Sequence, residues 1–367
     1  MKKTILITLI ISVLIIEKHC IACSTFCLSD SNEIVIGYSF DWYSGHGFVV
    51  TNNKGMKKTA FMPFEDTPVE WISKYGSITF NLAGKEFPFA GMNEQGLVVT
   101  QMWLNDTKYQ EADERGAITE LQWIQYQLDN FQSVNEVIQS NNILRITNKT
   151  AIQLHFFICD REGNVAIIEF LDGRLVYHTG DELPVPLICN DKYDKSMKSL
   201  IGSMNFKEKD TDLSLDMEDV KNKPGDNRFT KGFNAIERYK QQSGSNIIDS
   251  AFGILDVLRQ RHTKWNIVFS IKDFQMYYRT NENVKIRKIN MNDFEFGCNA
   301  EQLMLDVNVE TTNKRSDFEG FTLGKNRQYL DYVIKNIIPK VDGLNNVPVE
   351  LWNNMADYPG KVECTKN

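Results

Sequence analysis

Cys23 lies directly after a segment with the features of a cleavable secretory signal. Lys2 and Lys3 precede an apolar run over Thr4–Ile16, and the small residue Ala22 ends the segment. Cleavage after Ala22 would leave Cys23 as the first residue, with a thiol and a free α-amine on one amino acid. Their ordinary pKa values are about 8.5 and about 7.7–8.0, so near neutral pH part of the amine is unprotonated and able to take the thiol proton. This pairing of nucleophile and base is suited to attack on a carbonyl carbon.

The same cysteine has two other interpretations. Ile21-Ala22-Cys23 resembles the end of a lipoprotein signal, in which the cysteine is lipidated and becomes a membrane tether, although Cys20 stands where such signals usually carry leucine. Cys23 could instead pair with Cys27 or another thiol, because exported proteins are oxidised. In each case the signal predicts an exported protein, periplasmic or secreted.

The composition disfavours several classes of protein. A chain of 367 residues with 42% hydrophobic and 24% charged residues has a globular composition and ample length for a core. Its formal net charge of −7 disfavours nucleic acid or an anionic membrane as the main partner. No segment reaches the roughly 20 apolar residues of a membrane span, and no cysteine pair lies near histidines at zinc-finger spacing. We therefore expect neither a metal nor a cofactor, no nucleic acid and no membrane span.

The remaining cysteines and two strand histidines have structural interpretations. Cys159 and Cys189 fall in apolar runs and are expected to be buried and inert. Cys298 and Cys364 could form a disulfide, but connectivity cannot be determined from sequence. His155 and His178 lie in predicted strands without a matching metal-ligand partner, so we expect them to be structural.

The elements that must position Cys23 follow from hydrophobic periodicity and turn residues. Alternation over Glu33–Val50, broken at Gly45-His46-Gly47, predicts two strands related as a hairpin. Gly91 to Gly96 is expected to be a turn. Further strands are predicted over Ser77–Leu82, Leu97–Trp103, Leu154–Cys159, Val165–Phe170, Arg174–His178, Trp265–Ser270, Gln275–Arg279 and Val284–Lys288. Helices are predicted over Ile118–Asn130, Ser133–Ser140 (with a Ser133/Glu136 capping box), Phe229–Gln241, Ile247–Gln260 and Asn326–Ile337. This order predicts an α+β fold with large antiparallel sheets, with a polar surface excursion over Ser203–Asp226.

Four ordered features make the chain similar to the choloylglycine hydrolase and penicillin V acylase family of N-terminal-nucleophile (Ntn) hydrolases. Cys23 stands at a processed terminus, and Phe40-Asp41-Trp42 closes the first long strand. Met92-Asn93-Glu94-Gln95-Gly96-Leu97 matches a turn of the family. Ile188-Cys189-Asn190-Asp191 is followed, after a polar loop, by Asp226-Asn227-Arg228-Phe229. The likeness spans residues 23–291, and it implies a four-layer αββα sandwich that hydrolyses non-peptide C–N bonds of linear amides.

The resemblance also implies a role for each matching residue. Cys23 would be the nucleophile, and Asp41 would hold its amine or thiol in place. The Asn190 amide would donate to the oxyanion, with the backbone N–H of Trp103 as the second donor. Arg228 would stabilise negative charge near the nucleophile.

Each of these residues has a structural alternative. Asp41 and Asn190 could be turn residues, and Arg228 could be a surface charge at a helix start. Trp42 and Trp103 are core residues by default.

Two positions depart from the family pattern. Tyr38 stands where many relatives carry arginine, and a phenol donates one hydrogen bond without a fixed charge. Trp103 stands where members that cleave bile salts often have asparagine. With Trp42 it predicts an aromatic-walled pocket for an apolar or aromatic acyl group, so we assign Tyr38 and Trp42 to substrate binding.

The sequence thus predicts a signal peptide over residues 1–22, an Ntn amidohydrolase domain over residues 23–300, and a C-terminal extension over residues 301–367 with one helix. Its expected function is hydrolysis of a small-molecule linear amide through a thioester, in the manner of a penicillin V acylase. The alternative is a lipidated or inactive relative that binds an amide or acyl ligand. The identity of the amide remains open among penicillin V, a bile salt, an acyl homoserine lactone and others. A homo-oligomer is possible.

Overall fold

The computed structural model describes residues 23–150, 152–207, 228–242, 244–310, 314–341, 344 and 348–365. The predicted signal peptide, residues 1–22, lies outside the described residues, as does the predicted excursion beyond residue 207. None of the helices in these ranges is long and apolar enough to cross a membrane.

The secondary structure alternates between groups of strands and groups of helices. The strands are β1 (Ser24–Ser29), β2 (Ile34–Asp41), β3 (Phe48–Asn52), β4 (Met56–Thr59), β5 (Glu70–Ile72), β6 (Ser77–Asn81), β7 (Pro88–Asn93), β8 (Val98–Trp103), β9 (Gly116–Ile118), β10 (Leu144–Ile146), β11 (Leu154–Cys159), β12 (Val165–Leu171), β13 (Arg174–Thr179), β14 (Leu187–Ile188), β15 (Thr263–Ser270), β16 (Gln275–Thr280), β17 (Arg287–Asn290), β18 (Leu303–Asp306), β19 (Glu319–Gly320) and β20 (Glu363–Cys364). The helices are α1 (Glu120–Asn130), α2 (Val134–Gln139), α3 (Tyr193–Lys207), α4 (Arg228–Gln241), α5 (Ile247–Leu258), α6 (Leu323–Asn336) and α7 (Val349–Asp357).

Two large antiparallel sheets form the centre of the molecule. One has the order β14-β1-β2-β15-β16-β17, and the other has the order β13-β12-β11-β8-β7-β6-β3-β18-β19. The sheets face each other through aromatic side chains: the ring of Phe80 on β6 contacts those of Trp265, Phe269 and Tyr278 on β15 and β16. Helices α4 and α5 pack on the first sheet and α1 packs on the second. The predicted α+β, four-layer αββα sandwich is therefore confirmed.

The layer order explains why β2 is buried on both faces. All eight of its residues are buried, because one face meets the second sheet and the other meets α5. Cys23 precedes β1, the antiparallel neighbour of β2, and Ser24 pairs with Ser39. This register brings the end of β2 beside Cys23.

The predicted hairpin between β2 and β3 is wrong. β2 pairs with β1 and β15, whereas β3 pairs with β6 and β18 in the other sheet. The glycines between β2 and β3 allow close packing, because a Cβ at Gly47 would lie 2.5 Å from the Trp265 ring. Alternating hydrophobicity identifies both strands but carries no information about their partners.

Some predicted elements have other bounds in the structure, and two helices were not predicted. Gly91–Asn93 end the strand β7, and the turn is confined to Glu94–Gly96, where Gly96 has φ 85°. The last strand of its sheet, β17, begins at Arg287 rather than Val284. Helices α3 and α7 were not predicted. The capping box of α2 and the remaining predicted helices are present.

The C-terminal part of the chain is joined to the body at several places. β18 extends the second sheet beside β3, and β20 pairs with β4. Cys298 and Cys364 form the disulfide that the sequence left open. The region contains both α6 and α7, which pack together, where the sequence predicted one helix. The domain boundary at residue 300 stays a prediction.

Candidate active site

The sulfur of Cys23 lies against the end of β2. It accepts the N–H of Asp41 at 3.4 Å, and the hydroxyl of Tyr38 is 4.0 Å away. Cys23 is 6% exposed, and Tyr38 and Asp41 are fully buried. Cys23 and Cys27 are free thiols, so the disulfide alternative between them is not present.

The environment of the thiol does not favour its charged form. Burial, followed by the negative charge of Asp41, raises the pKa of the Cys23 thiol to about 12. The phenol of Tyr38 donates its hydrogen bond to the carbonyl of Gln101 at 3.0 Å. Since a phenol has one proton, the nearer Gln101 carbonyl is its main acceptor, and the 4.0 Å contact to sulfur lowers the pKa of the Cys23 thiol least among the causes of its shift.

The carboxylate of Asp41 is held by three side chains. Arg228 Nη1 donates to Oδ2 at 3.0 Å, and Thr263 Oγ1 and Ser39 Oγ donate to Oδ1 at 2.5 and 3.1 Å. Burial raises the pKa of this carboxyl, and the Arg228 charge and the two hydroxyl hydrogen bonds oppose that shift. Sequence reasoning missed Thr263 and Ser39, because only the pairing of β15 with β2 places Thr263 opposite Asp41.

Arg228 links Asp41 to a second pair of predicted residues. Its Nη2 donates to Asn190 Oδ1 at 2.9 Å, and Asn190 Nδ2 donates to the carbonyl of Trp103 at 2.6 Å. The N–H of Leu104 donates to the carbonyl of Gln153, on the β11 side of β8. Successive residues of an antiparallel strand direct their N–H and C=O groups to opposite sides, so those of Trp103 face away from β11. Both predicted oxyanion donors therefore lie on the same side of β8.

A cavity with about 640 Å³ of empty space opens at Cys23. Tyr38 and Asp41 lie beside the sulfur, and the rings of Trp42 and Trp103, 6.4 Å apart, form one wall. The predicted aromatic wall is thus present. Asn190 and Arg228 lie behind the lining residues and contact Asp41 and Trp103 rather than the cavity.

The opposite wall of this cavity was not predicted. It is formed by side chains of the C-terminal region: Val333, Ile337, Ile338, Leu344 and Trp352. All five are buried and apolar in character. The sequence signals the amphipathic helix that carries Val333, but not the surface against which it packs.

The other singled-out residues lie outside this cavity. Cys159 and Cys189 are buried, as predicted, and Cys189 Sγ lies 3.4 Å from Ser24 Oγ. His155 and His178 both contact Glu169 at 3.5 Å, which agrees with a structural role. Within the described residues, no group of three or more His, Cys, Asp or Glu side chains is arranged to hold a metal ion.

Comparisons with known proteins agree with the fold. Residues 23–222 match the family model described as linear amide C–N hydrolases, choloylglycine hydrolase family. A penicillin V acylase from Pectobacterium atrosepticum is 32% identical over 125 residues, which cover 30% of this chain. The match spans 33% of that relative, so the chain covers about a third of the curated relative's length.

Solved structures match over most of the chain. Penicillin V acylase from Agrobacterium tumefaciens superposes with a TM-score of 0.67 at 20% identity, covering 82% of this chain and 98% of that one. A mutant of the conjugated bile acid hydrolase from Clostridium perfringens superposes with a TM-score of 0.62 at 17% identity, covering 80% and 98%. At these identities the likeness establishes the shared fold.

Proposed function

Because the chain belongs to the choloylglycine hydrolase family of linear amide C–N hydrolases, we propose that it hydrolyses a linear amide with Cys23 as an N-terminal nucleophile. The observation that carries this proposal is the convergence of Cys23, Asp41 and Trp103 at one cavity, with Asn190 bonded to the Trp103 carbonyl. The supporting sequence feature is the signal that ends at Ala22.

The first step forms a thioester. The sulfur attacks the amide carbonyl carbon while the α-amine takes the thiol proton, and the C–N bond then breaks as the ammonium returns that proton to the leaving nitrogen. In the second step, water attacks the thioester, the acid leaves, and the thiol is restored. No metal or redox partner takes part in this sequence of steps.

The surrounding residues would stabilise the charge that develops. Asn190 Nδ2 and the N–H of Trp103 would donate to the oxyanion, after Asn190 exchanges its present bond to the Trp103 carbonyl. Losing one such donor typically costs about 10²–10³ in rate. Arg228 opposes the rise in the pKa of Asp41 that burial causes, and it orients Asn190, so it would act as a positioning residue.

Removal of residues 1–22 would give the Cys23 thiol a base and so make it reactive. In the uncleaved chain the nitrogen of Cys23 belongs to a peptide bond and cannot serve as a base, and the thiol pKa of about 12 keeps the sulfur protonated. Cleavage would supply the amine next to that sulfur. We therefore propose an exported protein, periplasmic or secreted, that is inactive until processed.

The substrate is proposed to be penicillin V-like. The walls formed by Trp42 and Trp103 are suited to an aromatic or apolar acyl group. Of the relatives, one is named a penicillin V acylase and another a conjugated bile acid hydrolase. We expect faster hydrolysis of penicillin V than of a glycine-conjugated bile acid, measured as release of the free amine.

A second candidate is a lipidated or inactive relative that binds an acyl or amide ligand. Two observations favour it: Tyr38 supplies no charge near the sulfur, and the thiol is deeply buried. Lipidation would acylate the α-amine and remove the proposed base, so the two functions exclude each other. A mass increment on the terminal cysteine, or partition into detergent, would identify this candidate.

The decisive variant is Cys23→Ser. We expect normal processing, with an intact mass that begins at residue 23, and a loss of hydrolysis by roughly 10³-fold or more. Cys27→Ser, on β1 and outside the cavity, is the control and should keep its activity. Unchanged turnover in Cys23→Ser, or a mature N-terminus at another residue, would refute the mechanism.

A further inference from the structure

A polar cleft lies beside the end of α5, on the face of the first sheet that this helix covers. It has about 370 Å³ of empty space, and it is lined by Arg259 after α5, Lys264 on β15 and Arg279 on β16. The Arg279 guanidinium lies 5.1 Å from the ring of Phe252 on α5. Among the described residues, the lining of this space contains no carboxylate. We call it the basic cleft.

The basic cleft carries positive charge that its surroundings do not neutralise. Arg279 pairs with Asp256 at 2.6 Å. Within the part of the chain that the structure describes, neither an ion pair nor a side-chain hydrogen bond involves Arg259 or Lys264. Since the whole chain has a formal net charge of −7, two unpaired cations in one cleft run against the overall charge. This local excess of positive charge favours an anionic ligand.

Two buried side chains in the lining of the basic cleft have hydrogen-bond donors to spare. Asn266 is 5% exposed, and its Oδ1 accepts Arg279 Nε at 3.2 Å, so Nδ2 is the free end of the amide. The partner of Nδ2 is the carbonyl of the adjacent Trp265 at 3.3 Å, beyond the usual range of about 2.7–3.2 Å. Thr280 Oγ1 accepts the N–H of Asn283 at 2.9 Å, which leaves its own proton to donate. Because buried polar groups are nearly always hydrogen-bonded, these donors indicate a ligand with acceptor oxygens.

We propose that the basic cleft binds a phosphate group, either as inorganic phosphate or on a small organic monoester. Lys264 and Arg259 supply the charge, and Asn266 Nδ2 and the Thr280 hydroxyl donate to the remaining oxygens. A phosphate monoester carries a charge of about −1.5 to −2 at pH 7, which matches two unpaired cations better than the single charge of a carboxylate does. Bonds between such cations and phosphate oxygens are among the stronger hydrogen bonds in proteins.

The basic cleft is near Asp41 but separate from the cavity at Cys23. Thr263 lines the cleft, and its hydroxyl donates to Asp41 Oδ1 at 2.5 Å. The lining of the cleft and the lining of the cavity at Cys23 have no residue in common. A phosphate bound in the cleft would therefore leave that cavity open, and the proposal goes beyond the proposed hydrolysis without depending on it.

The test is isothermal calorimetry on the processed wild-type protein at low ionic strength. Inorganic phosphate and glycerol phosphate are the probes, and glycerol is the uncharged comparison. We expect saturable one-to-one binding of both phosphates with a Kd of about 1 mM or lower, weakened by added salt, and no binding of glycerol. A lower Kd for glycerol phosphate would identify the organic monoester as the ligand, and the reverse order would identify the free ion.

Variants of the two unpaired cations locate the binding. Lys264→Gln should raise the Kd by about tenfold, because it removes a charge-assisted hydrogen bond. Arg259→Gln should raise it by about threefold, the smaller effect of an exposed charge. Lys264→Arg keeps the charge and should retain most of the affinity. Arg261→Gln is the matched control, because Arg261 is exposed and two residues from Arg259 but does not line the cleft.

Three results would overturn the proposal. The first is the absence of saturable binding of either phosphate to the wild-type protein. The second is an unchanged Kd in Lys264→Gln, with thermal unfolding showing that the variant is folded. The third is an equal loss of affinity in Arg261→Gln and Lys264→Gln, which would indicate general attraction by surface charge. Cys23→Ser should bind phosphate as the wild-type protein does, so failure of the proposed hydrolysis leaves this test unaffected.

Discussion

The hydrogen-bond neighbours of the Cys23 sulfur are the backbone N–H and C=O of Asp41 and the phenol of Tyr38. Asp41 N–H and Tyr38 hydroxyl lie 3.4 and 4.0 Å from it, whereas the guanidinium of Arg228 is directed at Asp41 and Asn190. Tyr38, which the resemblance to the family places at an arginine position, therefore supplies no positive charge at the sulfur. The positive charge of the site is that of Arg228, which contacts the carboxylate of Asp41 and not the sulfur.

Tyr38→Phe tests this arrangement at the sulfur. The Tyr38 contact lowers the pKa of the Cys23 thiol, so the variant should raise that pKa and slow alkylation at neutral pH. It should also cost about 1 kcal/mol of stability, because the Gln101 carbonyl loses its donor. The measurement is the rate of iodoacetamide alkylation of the processed protein against pH.

The control for Tyr38→Phe is Tyr277→Phe. The Tyr277 hydroxyl bonds Gln275 on β16, and the residue does not line the cavity at Cys23. An alkylation profile in Tyr38→Phe identical to that of the wild-type protein would show that the phenol does not influence the thiol.

Arg228→Gln tests the buried ion pair. Asp41 is fully buried and Arg228 is 11% exposed by side chain, so the variant leaves an uncompensated buried carboxyl and should lower the free energy of unfolding by about 3–5 kcal/mol. Urea unfolding measures this. The pKa of Asp41, already raised by burial, should rise further.

Arg279→Gln is the matched control for the buried pair. Arg279 pairs with Asp256, whose side chain is half exposed, at 2.6 Å. Exposed pairs contribute about 0–1 kcal/mol, so Arg279→Gln should lower the free energy of unfolding by clearly less than Arg228→Gln does. Equal costs for the two variants would contradict the assignment of Arg228 to a buried pair.

Among the elements, one carboxylate joins three neighbouring strands to a helix. Glu169 on β12 contacts His155 on β11 and His178 on β13, and it accepts the N–H of Tyr193 at 3.0 Å at the start of α3. Burial alone would raise the pKa of Glu169, but the hydrogen bonds from both histidines lower it to about 2. The segment that carries Asn190 is anchored immediately before α3 by this contact.

This contact makes stability depend on pH. The hydrogen bond that His178 donates to Glu169 raises the pKa of His178 above its ordinary 6.5. A raised folded-state pKa contributes stability that is fully present below 6.5 and is lost as the pH rises through the folded value. The melting temperature should therefore fall between pH 6.5 and the raised pKa of His178.

His178→Gln is the variant for this prediction. It removes the titrating group, so the part of the pH dependence due to His178 should disappear while a neutral hydrogen bond to Glu169 remains possible. Thermal unfolding of both proteins across neutral pH makes the comparison. An unaltered pH dependence in the variant would assign the effect to another group.

At the scale of the whole molecule, the C-terminal region completes the cavity that the two sheets open. Its side chains Val333, Ile337 and Trp352 line the cavity at Cys23. The Cys298–Cys364 disulfide closes a span of 66 residues that contains all of them. The segment that carries these side chains is thus a covalently closed loop.

Replacing both disulfide cysteines by alanine should lower the free energy of unfolding by about 2–4 kcal/mol, because the unfolded chain gains freedom. Thermal unfolding with and without reductant measures this, and the double variant serves as its own control. A reductant should destabilise the wild-type protein and leave the variant unchanged. A wild-type protein insensitive to full reduction would show that the bond does not stabilise the fold.

The local sequence determined much of the site and of its surroundings. The position of Cys23 after the predicted signal and the capped helix α2 follow from spacing and residue type over short stretches, whereas Asp41, Asn190 and Arg228 were identified through the resemblance to the family. Such features are legible because they depend on neighbours in the chain.

Tertiary structure decided what joins distant parts. Thr263 reaches Asp41 across 222 positions, β2 and β3 separate into two sheets, and α6 and α7 wall the cavity at Cys23. Hydrophobic patterning says that a strand or helix has a buried face, but any apolar surface satisfies that requirement. The partner of each face is selected by the packing of the whole chain, which no single segment encodes.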